Sequence, residues 1–381
     1  MRSSWREVAL DEVAELVPGK YIAKSDYVED GPFFIYGSNS VMGKYSKSLI
    51  DVPHTIMAAI GAYAGAVRYS SEPSWVNNNA FGLVTNSRVE PKFLFLWLEN
   101  VLDLKSVVAG TGQPYVQRPS LKASRVVLPP IEEQKRIVDL MSSVDSYIAA
   151  LQQHMEAARV LRSAIEVAEF DNPENELSLL GDYCDKTDIQ VGPFGSQLHQ
   201  REYVADGIPV VMPKDIIDGQ ISGRTIARVT PDKASELKRH LLIPGDVLFA
   251  RRGDLSKRAL VNETQAGWLC GTGTVRVRSG KLNGEILFRL SNTSNVNSWL
   301  MDNSVGATMP NLNSSIVAAI PLRVPGNALE AVALLRAMDK FISGTTDLLS
   351  SATELRSGLL SDLLSGAHEI PESYDRLLGA A

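Results

Sequence analysis

The stretch Ile131–Phe170, IEEQKRIVDLMSSVDSYIAALQQHMEAARVLRSAIEVAEF, decides how the rest of the chain is interpreted. Its apolar residues recur at alternating steps of four and three, namely at Ile137, Met141, Val144, Ile148, Leu151, Met155 and Ala158. A repeat of 3.5 residues is typical of a coiled-coil seam, so the pattern predicts one long helix that packs on another helix. The alternative is an ordinary amphipathic helix that packs on its own domain, which would be favoured for a single stretch.

A second copy of this pattern lies 194 positions further along, from about Asn327 to Leu364. At that offset Leu161–Ser163 falls on Leu355–Ser357, and Asp145 falls on Asp339. Two copies in one register favour helices that pack on each other. Forty helical residues span roughly 60 Å at about 1.5 Å per residue, so the two helices are predicted to hold two domains apart.

Two arginines, Arg162 and Arg356, interrupt the apolar seam at equivalent positions. Each could extend its charged head to water and pack only its aliphatic stem. Alternatively, antiparallel helices would set Asp145 against Arg356 and Asp339 against Arg162. Both interpretations stay open at the level of sequence.

The predicted fold class is α+β, with two mixed α/β domains separated by two long helices that form an antiparallel coiled coil with internal pseudo-two-fold symmetry. The predicted boundaries are a first domain at 1–130, a first helix at 131–172, a second domain at 173–326, a second helix at 327–366 and a tail at 367–381. Gly366 and Pro371 are expected to end the second helix, and the tail is expected to cap it or to dock on a partner.

The net charge of −6 is distributed unevenly. Residues 131–177 carry 4 basic and 10 acidic side chains, and residues 325–381 carry 4 and 8. Residues 1–130 carry 13 basic and 12 acidic side chains, and residues 178–324 carry 17 and 14. The acidic excess therefore lies on the helices and the tail, whereas both domains are mildly basic, which is compatible with contacts to phosphates.

Composition argues against several other classes of protein. No stretch approaches 18 uninterrupted apolar residues, and Met1–Trp5 lacks the apolar segment of a secretory signal, so a cytoplasmic protein without membrane contact is expected. Cys184 and Cys270 form neither a disulfide framework nor a metal-ligand pattern and are interpreted as buried or incidental thiols. The five histidines form no HxxxH or HExxH pair, so no metal site is expected.

Both domains have the pattern of short strands punctuated by Gly and Pro. Thr55–Ile60 is predicted to be a buried strand, Pro244–Ala250 a turn entering another, and Thr274–Arg278 a half-exposed strand. Phe93–Leu102 is predicted to be a helix, and Asn295–Asp302 is its predicted counterpart in the second domain.

A loop recurs just before each long helix, with Gly110–Val116 matching Gly306–Leu312 at an offset of 196. Each loop is followed by an apolar strand, Arg125–Pro129 or Ala319–Pro325. Such Gly/Thr/Pro loops expose backbone amides beside amide or aromatic side chains, which suits contact with a sugar–phosphate backbone and base edges. The alternative is that these loops are merely turns that close a sheet.

The stretch LPPIEEQKRIV at Leu128–Val138 resembles the start of the first spacer helix in specificity subunits of type I restriction–modification systems. The second half carries Gly192–Ser196, Gly207–Val211, Pro244–Leu248 and Gly306–Asn313, all of which resemble motifs of that family's target-recognition domains. The first half has no Gly-Pro-Phe-Gly-Ser stretch, and the second helix lacks a Pro-Pro-x-x-Glu-Gln start. The resemblance covers essentially the whole chain, in the order domain, helix, domain, helix.

The resemblance implies a non-catalytic DNA-recognition subunit. Its target-recognition domains would each read half of a bipartite, asymmetric site in double-stranded DNA, and the paired helices would set the spacing and dock two methyltransferase subunits. Whether motor–nuclease subunits also join is left open. No amino-methyltransferase motif and no Gly-x-x-x-x-Gly-Lys-Ser/Thr loop occurs, so S-adenosylmethionine and ATP are expected in partner subunits and no cofactor in this chain.

Two other classes are weighed against this one. A coiled-coil scaffold whose domains bind protein and not DNA is favoured slightly by the weak basicity but not by the Gly-Thr/Ala-x-x-Pro loops. A free-standing enzyme, such as a methyltransferase fused to a specificity protein, is disfavoured by the missing motifs and by the length.

The candidate DNA contacts are loop residues with forked or amide donors, because Arg and Asn or Gln can read guanine and adenine through paired hydrogen bonds. In the first domain these are Lys44, Tyr45, Arg68, Asn77, Asn78, Asn79, Gln113, Tyr115, Gln117 and Arg118. In the second domain they are Ser196, Gln197, Lys214, Arg251, Arg252, Lys257, Arg258, Thr308, Asn311 and Asn313. Each could instead be a solvated surface side chain. Asp215 and Asp254 could accept from cytosine amino groups but are interpreted as turn residues.

Overall fold

The computed structural model describes residues 4–185, 187–193, 197–305 and 311–378. The chain divides into two units, residues 1–153 with 347–381 (unit 1) and residues 154–346 (unit 2). Each unit contains one mixed α/β domain, here domain 1 and domain 2, and one segment of each long helix. The predicted motif residues 194–196 and 306–310 lie outside the described part of the chain.

Domain 1 is built from short strands and three helices that precede the first long helix. The strands are β1 Arg6–Ala9, β2 Ala14–Pro18, β3 Phe33–Tyr36, β4 Val41–Tyr45, β5 His54–Ala58, β6 Val67–Ser70, β7 Ser74–Val76, β8 Ala80–Thr85, β9 Val108–Ala109, β10 Tyr115–Val116 and β11 Arg125–Leu128. The helices are α1 Pro91–Asn100, α2 Leu104–Val107 and α3 Arg118–Ala123, followed by the long helix α4 Ile131–Phe170.

The main sheet of domain 1 has the antiparallel order β2-β8-β5-β6. A second sheet has the order β4-β3-β7, in which β3 and β7 are parallel. Helix α1 packs on β5 and β6. Buried apolar residues of α1, Phe93, Leu96 and Trp97, share one core with Met141 of α4 and Leu360 of the second long helix, so this core joins domain 1 to both helix segments of unit 1.

Domain 2 consists of strands and, in its described part, four helices that precede the second long helix. The strands are β12 Glu176–Leu179, β13 Ile189–Val191, β14 Tyr203–Val204, β15 Ile208–Val211, β16 Ile216–Ile217, β17 Gln220–Ile221, β18 Ala227–Val229, β19 Val247–Ala250, β20 Arg258–Leu260, β21 Leu269–Cys270, β22 Thr274–Val277 and β23 Pro321–Val324. The helices are α5 Pro231–Glu236, α6 Gly284–Ser291, α7 Ser294–Asn303, α8 Ser314–Ala318 and the long helix α9 Ala328–Ser365, and the tail of unit 1 adds α10 Asp375–Leu378.

Domain 2 repeats the topology of domain 1. Its main sheet has the order β13-β22-β19-β20, and its second sheet contains a parallel pair, β15 and β21, like the β3–β7 pair. The antiparallel pair β12–β23 corresponds to the pair β1–β11. The two domains therefore share a core topology, as the predicted pseudo-symmetry requires, although the second sheet of domain 2 has one more strand.

The long helices begin and end close to their predicted bounds, and they pair as the antiparallel interpretation requires within each unit. In unit 2, Arg162 pairs with Asp339, and Thr346 Oγ1 lies 3.4 Å from Met155 Sδ. Met155 precedes Arg162 by seven residues and Thr346 follows Asp339 by seven, so the two helices run in opposite directions. In unit 1, Arg356 pairs with Asp145, with Nη2 3.2 Å from Oδ2. Because each arginine contacts a carboxylate, the alternative that they only extend to water is wrong.

The start of α4 explains the Leu-Pro-Pro-Ile-Glu-Glu-Gln stretch physically. The buried amide of Gln134 accepts from Glu90 N at 2.9 Å and donates to the carbonyls of Arg88 and Pro129 at 3.1 and 2.9 Å. Glu133 accepts from Trp5 Nε1 at 3.1 Å. These bonds attach the first turn of α4 to domain 1.

Two predictions about domain 2 are wrong. The strand at Thr274–Val277 is buried along its whole length, because β22 is a central strand between β13 and β19. The counterpart of α1 is α6 and not the later α7, because α6 packs on β19 and β20 as α1 packs on β5 and β6.

The tail packs within unit 1. Ile370 joins the core, Tyr374 Oη donates to Asp139 Oδ2 at 3.0 Å, and Asp375 Oδ2 accepts from Arg136 Nη1 at 3.1 Å. Both partners belong to α4, so the tail contacts the first long helix.

Within the described ranges, none of the helices combines the length and the apolar character that a membrane crossing needs.

Candidate nucleic-acid interface

One end of the domain 1 main sheet gathers three loops. Directly after β5, Ala59 N donates to Asn79 O at 2.8 Å, and Ala59 O accepts from Val116 N at 2.9 Å. Gly61 N also donates to Pro114 O at 2.8 Å. We call residues 59–65, 77–79 and 110–118 loop edge 1, because these backbone bonds hold them side by side.

A fourth segment reaches the same end of the sheet through Gly19. Gly19 N donates to Ala80 O at 3.2 Å, and a Cβ at Gly19 would lie 2.0 Å from Asn77 O and 2.4 Å from Ala80 O. No side chain fits such a contact, so glycine is required here by the close approach of two backbones. The next residues, Lys20 and Tyr21, therefore lie beside the Asn77–Asn79 loop.

Domain 2 has the corresponding arrangement after β19. Arg251 N donates to Gly273 O at 2.7 Å, and Arg251 O accepts from Leu312 N at 2.9 Å. Gly192 N donates to Thr274 O at 3.0 Å, and a Cβ at Gly192 would lie 1.9 Å from Gly271 O. We call residues 192–193, 251–257, 271–273 and 311–313 loop edge 2.

The two loop edges share their backbone bonds but not their side chains. Ala59 takes the place of Arg251, and Val116 takes the place of Leu312. Gly19 corresponds to Gly192, the first residue of the Gly-Pro-Phe-Gly-Ser stretch. The first domain therefore has a glycine equivalent to Gly192, although the residues that follow it in the sequence differ.

Seven of the ten residues predicted for domain 1 lie on loop edge 1: Asn77, Asn78, Asn79, Gln113, Tyr115, Gln117 and Arg118. Asn78, Asn79, Gln113, Tyr115 and Arg118 are exposed. Asn77 is buried, with Oδ1 accepting from Asn79 N at 3.4 Å, so the structure makes it a loop-shaping residue that is not available to DNA.

The other three predicted residues of domain 1 lie on strands. Lys44 and Tyr45 belong to β4, where the Lys44 ammonium lies 5.7 Å from the Phe34 ring centre and Tyr45 packs edge-on against Trp75. Arg68 lies on β6 and donates to Asn39 O. These three share no hydrogen bond with loop edge 1 among the interactions that the structure describes.

In domain 2 the structure brings together Arg251, Arg252, Lys257, Asn311 and Asn313. Arg251 Nε donates to Leu312 O at 2.8 Å, and Arg252 pairs with Asn311 across an antiparallel bridge. Asn313 also caps α8, with Oδ1 accepting from Ile316 N at 2.8 Å. Burial, followed by the charge of Arg252, lowers the pKa of Arg251, as expected where two cations are held side by side.

Two predicted residues of domain 2, Arg258 and Lys214, form contacts within the domain. Arg258 is buried on β20, where its guanidinium lies 5.5 Å from the Phe249 ring centre and Nη1 donates to Asn297 Oδ1 at 2.6 Å. Burial lowers its pKa to about 10, and the structure argues against a DNA contact there. Exposed Lys214 forms an ion pair with the buried Asp215 at 2.7 Å.

The remaining predicted residues adjoin the undescribed segments. Ser196 and Thr308 lie outside the described residues. Gln197 is partly buried, and its Oε1, like Asn311 Oδ1, has no hydrogen-bond partner in the part of the chain that the structure describes. Asp215 and Asp254 are turn residues as predicted, accepting from Met212 N and Ser256 N at 2.9 and 3.0 Å.

Sequence reasoning missed Lys20, Tyr21 and Tyr63 as candidates. Tyr21 is 73% exposed beside loop edge 1, and Tyr63, within loop edge 1, is 51% exposed. A large aromatic ring held in water beside amide side chains can stack on a base or pack in a groove. The available signal was the Pro18-Gly19 pair directly after an apolar strand.

The described residues contain no group of His, Cys, Asp or Glu that could hold a metal ion.

Comparison with known proteins agrees with this arrangement. Residues 2–158 match the family model of the type I restriction modification DNA specificity domain. The specificity subunit of type I restriction enzyme MjaVIII from Methanocaldococcus jannaschii is 21% identical, over 58% of this chain and 56% of that subunit. The chain thus matches little more than half of that relative's length.

Solved structures share the fold across nearly the whole chain. The S subunit of a type I restriction-modification system from M. genitalium is 16% identical, with a TM-score of 0.58 over 94% of this chain and 96% of that one. The HsdS subunit from Thermoanaerobacter tengcongensis is 18% identical, with a TM-score of 0.53 over 96% of this chain and 98% of that one.

Residues 2–158 thus match the type I restriction modification DNA specificity domain, and the chain as a whole shares its fold with solved S and HsdS subunits.

Proposed function

We propose that this chain is the sequence-reading subunit of a type I restriction–modification complex, in which each domain reads one half of a bipartite, asymmetric DNA site. The observation that carries the proposal is the pair of loop edges. They have the same backbone hydrogen bonds, yet Ala59 stands where Arg251 stands and Asn79 stands where Gly273 stands. A duplicated scaffold with different side chains at its loops is suited to reading two different half-sites.

The chemistry of the two edges differs. Loop edge 1 offers the amides of Asn78, Asn79 and Gln113, which pair well with adenine, together with exposed aromatic rings. Loop edge 2 offers exposed Arg252 and partly exposed Lys257, which suit guanine and phosphate oxygens. We therefore expect unlike half-sites and hence a non-palindromic target.

The long helices are proposed to set the distance between the half-sites. Half-sites on one face of B-DNA are about 34–36 Å apart for each helical turn. A 40-residue helix such as α4 is about 60 Å long, which is sufficient for a spacing of one turn or more.

The same helices are proposed to dock methyltransferase subunits. Leu334 and Phe341 in unit 2, and Leu348 and Leu355 in unit 1, are exposed at successive spacings of seven on α9. A heptad spacing of exposed apolar residues suits a further helix packed alongside. Because the long helices carry an excess of acid, a partner helix with basic flanks would complement them. S-adenosylmethionine and ATP are proposed to bind to the partner subunits.

A matched pair of variants tests DNA reading. Arg252→Ala removes an exposed cation from loop edge 2, and Lys281→Ala removes one beyond the opposite end of β22. In complex with the methyltransferase, we expect Arg252→Ala to weaken duplex binding by about 1–3 kcal/mol if it contacts a base, or to reduce the slope of log affinity against log salt by about 0.9 if it contacts a phosphate.

Lys281→Ala should leave both quantities near those of the unaltered protein. Equal binding by the two variants would contradict the role of loop edge 2. Absence of any salt-dependent duplex binding by the unaltered complex would instead favour a protein-binding scaffold.

A further inference from the structure

The joint between each domain and its helix segments is built from different chemistry in the two units. The helix positions correspond at an offset of 194, and both units keep an arginine–aspartate pair, Arg356–Asp145 in unit 1 and Arg162–Asp339 in unit 2. Around this conserved pair, the equivalent side chains differ.

Unit 2 adds a buried guanidinium from domain 2. Arg289 of α6 is 6% exposed, and it contacts a carboxylate on each long helix segment as well as one on its own helix. Its Nη1 lies 3.2 Å from Glu166 Oε1, and its Nη2 lies 2.8 Å from Glu285 Oε1 and 3.3 Å from Asp339 Oδ2. Arg162 binds the other Glu166 oxygen at 2.7 Å, so the domain and both helix segments share one ionic network.

Unit 1 has leucines at the two central positions. Helices α1 and α6 share their pattern of buried residues at an offset of 193, which places Leu96 where Arg289 stands. The helix offset of 194 places Leu360 where Glu166 stands. Leu96 and Leu360 are each 1% exposed and belong to the same core. A charged pair in one unit is therefore replaced by an apolar pair in the other.

The outer partners change together as well. In unit 2, Glu285 of α6 pairs with Arg336 of α9. In unit 1 the equivalent residues are Lys92 and Ser142, whose Nζ and Oγ are 2.9 Å apart. Each contact between domain and helix is thus matched within its own unit, although its chemistry differs from that in the other unit.

Packing either domain on helix segments with the side chains of the other unit would destabilise the contact strongly. If Arg289 faced Leu360, a buried guanidinium would lose one of its three carboxylate acceptors, and if Leu96 faced Glu166, that carboxylate would lose one of its two arginine donors. Removing one partner of a buried ion pair costs much more than replacing both partners by apolar residues.

We propose that this paired exchange matches each domain to its own helix segments. Arg289 and Glu166 are positioning residues that fix domain 2 on its own helix segments and reject a joint of the Leu96–Leu360 type. The matching acts through α6, which packs on β19, the strand that leads into loop edge 2. Its effect on DNA reading rests on the proposed function, whereas the coupling between the two residues does not.

Thermal unfolding of the full chain tests the coupling. Arg289→Leu and Glu166→Leu alone should each lower Tm by roughly 5 °C, because each leaves the remaining charged groups of the network with fewer partners. The double variant, which recreates the pair of unit 1, should recover most of this loss. As a control, Glu166→Leu combined with Arg323→Leu should show no recovery. Losses that simply add in Arg289→Leu/Glu166→Leu would overturn the proposal.

Two further readouts separate matching from general stability. Arg289→Lys keeps the charge but cannot reach three carboxylates with a planar fork, so it should fall between the unaltered protein and Arg289→Leu if the network is specific. With the methyltransferase and a duplex that carries the target site, well below Tm, Arg289→Leu should lower the methylation rate and the double variant should restore it.

Equal methylation rates for the single and double variants would contradict the positioning role. Absence of methylation by the unaltered complex would count against the proposed function and leave the coupling measurement as an independent test of the joint.

Discussion

At the scale of single residues, Gly19 and Gly192 show why the equivalence of the two domains could not be recognised from the sequence. Both allow two backbones to approach more closely than any Cβ permits, yet the residues that follow are Lys20-Tyr21 in one domain and Pro193-Phe194 in the other. A motif comparison weighs side chains, whereas the constraint here acts on the backbone. The glycine was therefore visible in the sequence, but its role was not.

Gly19→Ala tests this constraint. The added methyl would overlap Asn77 O and Ala80 O, so we expect a loss of roughly 1–3 kcal/mol in the free energy of unfolding. Gly112→Ala is the matched control, because a Cβ there would meet nothing within 4 Å. Denaturant titration of both variants measures the difference, and equal stabilities would show that the close approach is not required.

His240 makes the stability of domain 2 depend on pH. Its ring is fully buried, and burial, with the nearby charges of Arg239 and Arg276, lowers its pKa from 6.5 to about 4. Since the unfolded chain binds the proton more readily, stability is fully present above pH 6.5 and is lost as the pH falls towards 4. The shift corresponds to roughly 3 kcal/mol.

We therefore expect the His240→Gln variant to lose less unfolding free energy than the unaltered protein between pH 7 and pH 4. Chemical denaturation at several pH values gives the two slopes. If the free energy of unfolding depended on pH equally in the two proteins, folding would not lower the pKa of His240.

Burial also explains the two predicted contacts that the structure argues against. Arg258 and Asn77 stand in loop-like sequence next to exposed candidates, and nothing in their residue type separates them from Arg252 or Asn78. Arg258 is buried by its pairing with Phe249, and Asn77 is buried in a loop where its N donates to Tyr36 O at 2.8 Å; both are tertiary contacts that local sequence does not encode.

At the scale of elements, the two long helices were the most predictable feature, because a seam sustained over about four heptads is a strong local signal. The antiparallel pairing was one of two open interpretations, and the contacts of Arg162 and Arg356 confirm it within each unit. The short strands were predicted less well, since their pairing depends on residues far apart in the chain. The mistaken match of α7 to α1 is an example.

Gln134 tests how α4 is attached to domain 1. Gln134→Ala would leave Glu90 N and the carbonyls of Arg88 and Pro129 without their partner, so we expect a loss of about 1–3 kcal/mol. Exposed Gln152 on the same helix is the control, and its alanine variant should be nearly neutral. Thermal unfolding compares the two, and a neutral Gln134→Ala would contradict the assigned role.

The exposed heptad residues of α9 lead to a prediction about assembly. Phe341→Gln should reduce copurification of the methyltransferase by removing apolar contact area, whereas the neighbouring exposed Lys340→Gln should not. Both variants should unfold at nearly the same temperature, since neither side chain is buried. Full methyltransferase binding by Phe341→Gln would place the docking surface elsewhere.

At the scale of the whole molecule, one architectural unit is used twice with different side chains. The helix repeat could be predicted because its register survives, whereas the equivalence of the domains could not, because similarity remains mainly in backbone hydrogen bonds and strand order. The positions that differ most between equivalent backbones, such as Ala59 and Arg251, are those proposed to contact DNA.

The most direct test of the central claim is to map the methylated bases in DNA from cells that carry this chain and its methyltransferase. Two dissimilar readers on paired helices predict one motif with two unlike specific halves separated by a fixed number of unspecified bases. A single uninterrupted motif, two identical halves, or a gap of variable length would contradict the account.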